Sequence, residues 1–181
     1  SIVGVLIGFI GFLFLGRRIL GFEHELGHVV ALFIAIVFAI GRIGCLLNGC
    51  CFGSPTDSLL GITYPVGTPA HWLHLFTDSI IANQLISLSI HPIQLYETIF
   101  LFVTAGLIIK FAHKFNRKNA ILLLFLGSYM IFRMFIEFIR DMSNVWWSSL
   151  DFGPLSLFQW FLLISGSTFV LSGILLEKNY R

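Results

Sequence analysis

Four long apolar runs dominate the pattern of hydrophobic and polar positions along the chain. They cover residues 29–47, 95–111, 120–139 and 155–176. A helix needs about 20 apolar residues to cross the roughly 30 Å hydrocarbon core of a bilayer, and each run has about this length. The pattern therefore predicts an all-α, polytopic transmembrane helical bundle.

A fifth run, 2–15, is apolar but shorter. Arg17 and Arg18 follow it, whereas a signal peptide carries its basic residues before the apolar stretch. The chain begins at Ser1 and not at methionine, so we expect this run to be a truncated spanning helix. We thus predict about five spanning helices in a single integral-membrane domain, 1–181, and more in a full-length protein.

The composition narrows the class of protein further. Of 181 residues, 57% are hydrophobic and 11% are charged, and the mean hydropathy is +0.92. These values exclude an ordinary water-soluble domain. The formal net charge of +2 is too small to indicate a nucleic-acid partner, so we expect the partners to be the membrane and substrates delivered from lipid.

The positions of lysine and arginine predict the orientation, because short loops rich in these residues stay cytoplasmic. With alternating helices, three basic clusters fall on one side: Arg17 and Arg18; Lys110, Lys114, Arg117 and Lys118; Lys178 and Arg181. The opposite, extracytoplasmic side receives segments 140–154 and 52–94. Proline and glycine interrupt 52–94, so we expect an arm with an amphipathic segment around 71–86, in which Trp72 and Phe76 lie at the membrane interface.

Arginines interrupt the apolar runs at Arg42 and Arg133, which the topology brings to the same leaflet. A charge inside the membrane costs about 3 kcal/mol or more and marks function by default. In the stretch "RMFIEFIR", Arg133, Glu137 and Arg140 share one helical face, and Tyr129 extends that face inward. This pattern predicts either an internal ion pair with a snorkelling arginine or an anion clamp, whose positive surplus suits a lipid phosphate.

A second polar stretch, "HPIQLYE", begins the run 95–111. Proline fits the first turn of a helix, where its missing N–H leaves nothing unsatisfied. His91, Gln94 and Glu97 then project to one broad face, with Tyr96 beside them. One interpretation is an interfacial helix cap with an aromatic belt residue. The other is a functional site, because polar groups without a role are costly where a helix enters lipid.

The stretch "GRIGCLLNGCCFG" ends the run 29–47. Arg42, Cys45 and Asn48 recur every three residues on one side of a helix. Close approach of another backbone is expected at the glycines of this stretch, Gly41, Gly44 and Gly49. The spacing C-x4-C-C lacks the paired C-x2-C of structural zinc sites, so we predict no metal here. A Cys45–Cys50 disulfide, an intermolecular link and simple packing stay open for the thiols.

The stretch "HELGH" matches the H-E-x-x-H signature of zinc proteases through His24, Glu25 and His28. Its glycine weakens a helix, and a third ligand is not evident in the sequence. A membrane zinc protease therefore stays as a rival function.

Taken together, the three longer stretches resemble the prolipoprotein diacylglyceryl transferase family. Its motifs read approximately G-R-x-G-N-F-x-N-G-E-x-x-G, H-P-S-Q-L-Y-E and R-F-x-x-E-x-x-R, and the corresponding stretches occur here in the same order over residues 41–140. The resemblance implies transfer of the diacylglyceryl group of phosphatidylglycerol to the lipobox cysteine thiol of a prolipoprotein. It places this lipoprotein biosynthesis at the outer face of the plasma membrane and implies no cofactor.

The resemblance also implies roles for single residues. Arg42 holds the lipid phosphate, while Arg133 and Glu137 orient the head group and stabilise the departing phosphate. The further substrate-binding candidates are Asn48, Gln94, Tyr96 and Arg140. A thiol needs a base to become a nucleophile, and the candidates for that base are His91 and Glu97.

The sequence departs from the family pattern at three positions. Cys45 and Cys50 stand where the family has asparagine and glutamate, and Val3 stands where the family has a functional histidine. These departures favour a second hypothesis, a non-catalytic or redox-linked membrane protein of the same fold, in which the same arginines hold phosphatidylglycerol or another anionic phospholipid.

Overall fold

The computed structural model describes residues 26–77, 79–80, 84–140 and 151–179. These residues form five helices and one short strand pair. The helices are α1 (Gly27–Asn48), α2 (Pro69–Phe76), α3 (Ile93–Phe111), α4 (Lys118–Glu137) and α5 (Leu157–Lys178). A 3-10 turn, Ala112–Lys114, follows α3, and β1 (Asp151–Phe152) pairs antiparallel with β2 (Leu155–Ser156).

All the helices except α2 are long and apolar enough to cross a membrane. They lie within a few residues of the four predicted runs, so the prediction of an all-α, multi-pass membrane protein is confirmed. Each predicted start differs from the observed one by two residues, and only the start predicted at residue 155 comes before its helix. Ser156 forms a capping box with Gln159, which satisfies N–H groups of both residues and begins α5 at Leu157. The fifth run, 2–15, lies outside the described residues.

Helix α1 packs mainly against α3 and also against α4. Its buried face carries Ala31, Ala35 and Ala39, which are fully buried and four residues apart. They belong to the same core cluster as Leu101 of α3 and Phe125 of α4. Because alanine side chains are small, they let neighbouring helices approach closely. Such close packing holds helices together in lipid, where the hydrophobic effect does not drive their association.

Helices α4 and α5 form the other close pair. A Cβ added to Gly127 would lie 2.7 Å from the carbonyl oxygen of Gly166, and one added to Gly173 would lie 3.1 Å from that of Ala120. Neither distance leaves room for an unstrained side chain. Glycine is therefore required along this contact, where the two backbones meet.

One end of the bundle carries the described lysines and Arg117, which belong to the predicted basic clusters. Near the end of α5, the Glu177 carboxylate accepts hydrogen bonds from the backbone N–H groups of Asn116 and Arg117, at 3.1 and 3.0 Å. The N–H of Gly27 donates to Oδ1 of Asn119 at 3.2 Å. The start of α1, the α3–α4 connection and the end of α5 therefore lie together. The basic residues here are Lys110, Lys114, Arg117, Lys118 and Lys178, whereas Arg17, Arg18 and Arg181 lie outside the described residues.

The segment between α1 and α3 lies at the opposite end of the bundle. It is held together by antiparallel bridges that pair Ile90 with both Pro55 and Ile62, and Pro65 with Ile86. Its small core consists of Phe52, Tyr64, Ala70 and Ile90. The connection is therefore a packed structure of its own.

Helix α2 is the amphipathic element predicted in this segment, but the predicted extent, 71–86, is wrong. The helix begins at Pro69 after the N-cap Thr68 and ends at Phe76. Farther along, the carbonyl of Leu85 accepts from the N–H of Val66 at 2.9 Å, so this backbone pairs with the loop and is not helical. The exposed rings of Trp72 and Phe76 stack with centroids 5.9 Å apart and give α2 an apolar outer face.

Candidate functional site

Five charged side chains from the three sequence motifs meet at one end of the bundle. Arg42 lies near the end of α1, Glu97 in the second turn of α3, and Arg133 and Glu137 in the last turn of α4, with Arg140 just beyond it. Because α1, α3 and α4 alternate in direction, the end of α1, the start of α3 and the end of α4 reach the same level. We call these five residues the ion cluster.

Glu97 is the centre of the ion cluster. One of its oxygens, Oε2, pairs with Nε of Arg42, and the other, Oε1, accepts from Nη1 of Arg133 at 2.8 Å. The second guanidinium nitrogen of Arg133 lies 3.0 Å from Glu137, which also contacts Arg140 at 3.5 Å. The five side chains therefore form a row of ion pairs in which arginine and glutamate alternate.

The charges in the ion cluster do not cancel. It contains three guanidiniums and two carboxylates, a surplus of one positive charge. The side chains of Glu97 and Glu137 are 0% and 2% exposed, whereas those of Arg42, Arg133 and Arg140 keep 16%, 11% and 21%. Buried charges are tolerated only when they are paired. The carboxylates are thus enclosed, and the arginines are the members that keep some exposure.

Tyr129 lies behind the ion cluster on α4, where it contacts Arg42 through its hydroxyl group. Its ring packs near the rings of Phe38, Phe100 and Phe125, with centroid separations of 6.1 to 6.5 Å. The predicted inward extension of the polar stripe therefore ends in an aromatic layer that is continuous with the hydrophobic core.

Gly53, the last residue of the first motif, passes between the other two motifs. Its N–H donates to the carbonyl of His91 at 2.9 Å, and it forms an antiparallel bridge with Arg140. An added Cβ would lie 2.7 Å from both the Cβ of His91 and the carbonyl oxygen of Ile139. The site is therefore joined through backbone contacts as well as ion pairs, and the crossing point has no room for a side chain.

The residues of "HPIQLYE" separate into three environments. Glu97 enters the ion cluster. Gln94 is fully buried and donates from Nε2 to the carbonyl of Cys50 at 2.6 Å, while its Oε1 has no partner among the described residues. His91 is half-buried, and its Nδ1 lies 3.3 Å from the hydroxyl of Tyr96. Pro92 is the N-cap residue of α3, so the helix begins at Ile93, one residue after the position predicted for its first turn.

The end of α1 differs in part from the expectation. Gly49 has a φ of 69° and lies against the ring of Tyr64, so its close neighbour is a side chain and not the backbone that was predicted. No atom of the described residues lies within 4 Å of a Cβ added to Gly41 or Gly44, so the close approach expected there stays a prediction. The hydroxyl of Tyr64 donates to the carbonyl of Leu46 at 2.8 Å and fastens the turn to the helix.

Burial raises the pKa of the Tyr64 hydroxyl above its ordinary value, and the neighbouring thiol of Cys50 adds to the effect. The group therefore stays protonated at neutral pH. A protonated hydroxyl is the state that donates the hydrogen bond to the helix end.

Asn48 and the cysteines complete this end of α1. Asn48 is exposed at the last residue of the helix and makes no hydrogen bond to the ion cluster within the described ranges. Cys45 and Cys50 are half-buried and Cys51 is exposed, and all three are free thiols. The structure therefore brings eight predicted site residues to one end of the bundle but leaves Asn48 apart from the ion cluster.

The rival motif "HELGH" lies elsewhere. His24 and Glu25 are outside the described residues, and His28 lies in the first turn of α1, at the basic end of the bundle. It is separated from the ion cluster by the length of the helix.

The fold and the ion cluster together define a multi-pass helical membrane protein with a net-positive, partly open charged site at one end. A family model described as prolipoprotein diacylglyceryl transferase matches residues 1–175 of the chain. The chain therefore belongs to this family, and the resemblance inferred from the three motifs is confirmed.

Relatives named phosphatidylglycerol–prolipoprotein diacylglyceryl transferase agree with this assignment. The Clostridium tetani protein is 33% identical over 107 residues, which cover 59% of this chain and 37% of the relative. A Clostridium perfringens protein, the transferase numbered 2, is 31% identical over 117 residues, 65% of this chain and 40% of the relative. The Francisella tularensis subsp. novicida protein is 43% identical over 67 residues, which cover 37% of this chain and 24% of the relative.

The chain thus spans about two fifths of the length of the first two curated relatives. No solved structure matches. These matches favour the transferase family over the rival zinc protease.

Proposed function

We propose that this chain is a phosphatidylglycerol–prolipoprotein diacylglyceryl transferase and that the ion cluster is its site for the lipid phosphate. In the reaction, a cysteine thiolate of the lipobox forms a C–S bond to the glyceryl carbon of the lipid. The C–O bond to the phosphate breaks, and glycerol 1-phosphate leaves with the bond electrons. The observation that carries the proposal is a surplus guanidinium charge, built jointly by the three motifs.

The arrangement of the ion cluster supports a division of roles. Arg42, Arg133 and Arg140 offer N–H groups to the phosphate, and their geometry suits planar oxygen pairs. Glu97 and Glu137 hold the guanidiniums in place before the lipid arrives. Because the negative charge on phosphate grows as the C–O bond breaks, donors that are already oriented in a low-dielectric site stabilise the transition state more than the ground state.

The thiol proton needs an acceptor, and the contacts favour His91 over Glu97. The Glu97 carboxylate is enclosed and neutralised by two arginines. His91 is half-buried, close to the ion cluster through Gly53, and bonded to the hydroxyl of Tyr96. We therefore assign His91 as the base and Glu97 as a positioning residue. Gln94 holds the turn at Cys50, and Asn48 is free at its edge to contact the peptide or the lipid head group.

We propose that the ion-cluster end faces the extracytoplasmic side of the plasma membrane. The basic residues at the other end of the bundle support this orientation through the positive-inside rule. Segment 52–94 then lies outside the membrane as an arm over the site, and the exposed stack of Trp72 and Phe76 lies at the interface, where aromatic rings accumulate. Phosphatidylglycerol reaches the arginines from the outer leaflet, and the prolipoprotein presents its cysteine there.

The test uses the full-length protein in vesicles that contain labelled phosphatidylglycerol and a lipobox peptide. We expect a thioether-linked lipid on the peptide cysteine. Arg42→Ala should lower the rate at least a hundredfold, because loss of a charged transition-state donor typically has an effect of this size. Lys110→Ala removes a positive charge at the opposite end and should leave the rate unchanged.

Two outcomes would contradict the proposal. Phosphatidylglycerol binding without transfer by a folded sample would instead support the lipid-binding hypothesis. Equal losses in Arg42→Ala and Lys110→Ala would remove the ion cluster from the reaction.

A further inference from the structure

We propose that Cys45, Cys50 and Cys51 form a binding site for a thiophilic metal ion, Zn²⁺ or Cu⁺, beside the ion cluster. The Sγ atoms of the three residues all lie within 4.8 Å of one another. They are the three cysteines of the entire chain. This inference concerns metal binding and does not depend on the proposed transfer reaction.

The backbone brings the thiols together in a way that the spacing C-x4-C-C conceals. Helix α1 ends in a Schellman-type turn, in which the N–H of Cys50 donates to the carbonyl of Cys45 at 3.2 Å. Gly49, with a φ of 69°, reverses the chain at this point. The turn therefore lays the thiol of Cys50 back over the last turn of the helix, where Cys45 lies.

Cys51 adds the third thiol through an uncommon backbone conformation. Its φ is 60°, and among the described residues it is the single non-glycine residue with a positive φ. Such a conformation persists only where the surroundings hold it, and it is typical of ligand sites and turns with a function. Here it directs Cys51 toward the other two thiols instead of continuing away from the helix.

The sulfur separations fit a metal after small side-chain rotations. With zinc–sulfur bonds of about 2.3 Å, tetrahedral ligand sulfurs lie about 3.8 Å apart, and the three sulfurs here lie within 4.8 Å of one another. Thiolate sulfur selects Zn²⁺ and Cu⁺ over hard cations such as Mg²⁺ and Ca²⁺. Three ligands satisfy a trigonal Cu⁺ ion, whereas Zn²⁺ takes a fourth ligand from solvent.

The surroundings of the three thiols give a metal ion access and help to balance the charge of the metal–thiolate complex. Cys51 is exposed, which gives an ion a path to the half-buried pair. Each thiol releases a proton to solvent on coordination, so a Zn²⁺ ion with three thiolates carries a net charge of −1. Arg42 lies one turn before Cys45, and its charge also interacts with Cys51. The carbonyl of Cys50 is fixed by Gln94, so the turn is held in position before any ion binds.

The test is a metal titration of the full chain in detergent, reduced and kept free of oxygen. Cd²⁺ serves as the probe, because its bonds to thiolate give a charge-transfer absorption, and Zn²⁺ and Cu⁺ are then added as competitors. We expect one Cd²⁺ per chain, displaced by Zn²⁺ or Cu⁺ but not by Mg²⁺. Bound Zn²⁺ should also protect all three thiols from alkylation, as read by mass spectrometry.

Single Cys→Ser variants at positions 45, 50 and 51 should each lower the affinity at least tenfold. Loss of a supporting residue alone typically has an effect of 10- to 100-fold, so loss of a ligand should not have less. Ser54→Ala, three residues after Cys51 and without a thiol, should bind like the parent chain. Circular dichroism confirms that each variant remains helical.

Three results would overturn the proposal. They are the absence of thiolate absorption with the reduced parent chain, affinity that does not change in Cys45→Ser, and a stoichiometry of one ion per two chains. A Cys45–Cys50 disulfide in protein purified without reductant would likewise assign these thiols to redox chemistry instead of metal binding.

Discussion

Replacing Glu97 by glutamine isolates the contribution of the bridge at the centre of the ion cluster. The substitution keeps the size of the side chain but removes its charge, and it leaves Arg42 and Arg133 without their shared carboxylate. Removing one partner of a buried ion pair costs about 3–5 kcal/mol. Because the two arginines keep 16% and 11% exposure, solvent relieves part of this cost, and we expect about 3 kcal/mol.

A loss of about 3 kcal/mol lowers the ratio of folded to unfolded protein roughly a hundredfold. The free energy of unfolding is measured on the purified protein in mixed micelles. Circular dichroism follows the loss of helix as the fraction of denaturing detergent increases. Asp57→Asn is the matched control, since it also changes a carboxylate to an amide but lies in an exposed loop. This control should change the free energy of unfolding by no more than about 0.5 kcal/mol.

A double variant separates the loss of the carboxylate from the cost of the unpaired arginine. Adding Arg42→Met to Glu97→Gln removes the guanidinium that lost its partner, so part of the stability should return. If Glu97→Gln unfolds like the parent, or if the double variant loses the sum of both single effects, the ion cluster is not the buried, coupled unit described above.

Four further substitutions test the close approach at glycine and the hydrogen bonds at helix ends. Gly53→Ala should destabilise the fold by about 1–3 kcal/mol, because its Cβ has no room between the second and third motifs. Gly41→Ala is the control: the described residues leave open space there, so it should be neutral or stabilising by up to about 1 kcal/mol through helix propensity. Equal losses of stability in the two variants would refute the close approach at Gly53. Ser156→Ala should lower the free energy of unfolding by about 1 kcal/mol through loss of the α5 cap, measured in the same unfolding assay, and an unchanged value would contradict that role. Tyr64→Phe removes the hydrogen bond to Leu46 and should also cost about 1 kcal/mol. Because the pKa of this tyrosine is raised, the unfolded chain loses its hydroxyl proton first, so its contribution should hold at neutral pH and decline only as the pH rises above about 10; a decline already between pH 7 and 9 would contradict this.

The location of the ion cluster explains how a membrane helix tolerates so much charge. Glu97 and Glu137 are almost completely enclosed, yet each contacts two arginines. In a low-dielectric setting, this mutual pairing offsets the loss of hydration, whereas a lone charge has no such compensation. The partly exposed arginines keep a surplus that an anionic lipid can meet. Stability and the proposed function thus depend on the same five side chains.

The sequence by itself determined the spanning helices and named the charged residues that meet in the ion cluster. Apolar runs of about 20 residues have few alternatives in a bilayer, so α1, α3, α4 and α5 follow from length and hydropathy. Arg42 and Arg133 were found because a charge inside an apolar run is costly. The alternating direction of the helices was enough to bring them to one end, and the three motifs indicated the family.

Only the tertiary structure decided how these residues pair. Glu97 was a candidate base in the sequence, but the packing of α1 on α3 puts it between two arginines. The need for glycine at position 53 appears only where the chain crosses the other two motifs, and the three thiols meet only because the backbone reverses after α1. Hydropathy indicates the cost of burying a residue, but it does not indicate which residue will lie beside it. The neighbour depends on helix packing and turn geometry, which join residues that lie tens of positions apart in sequence.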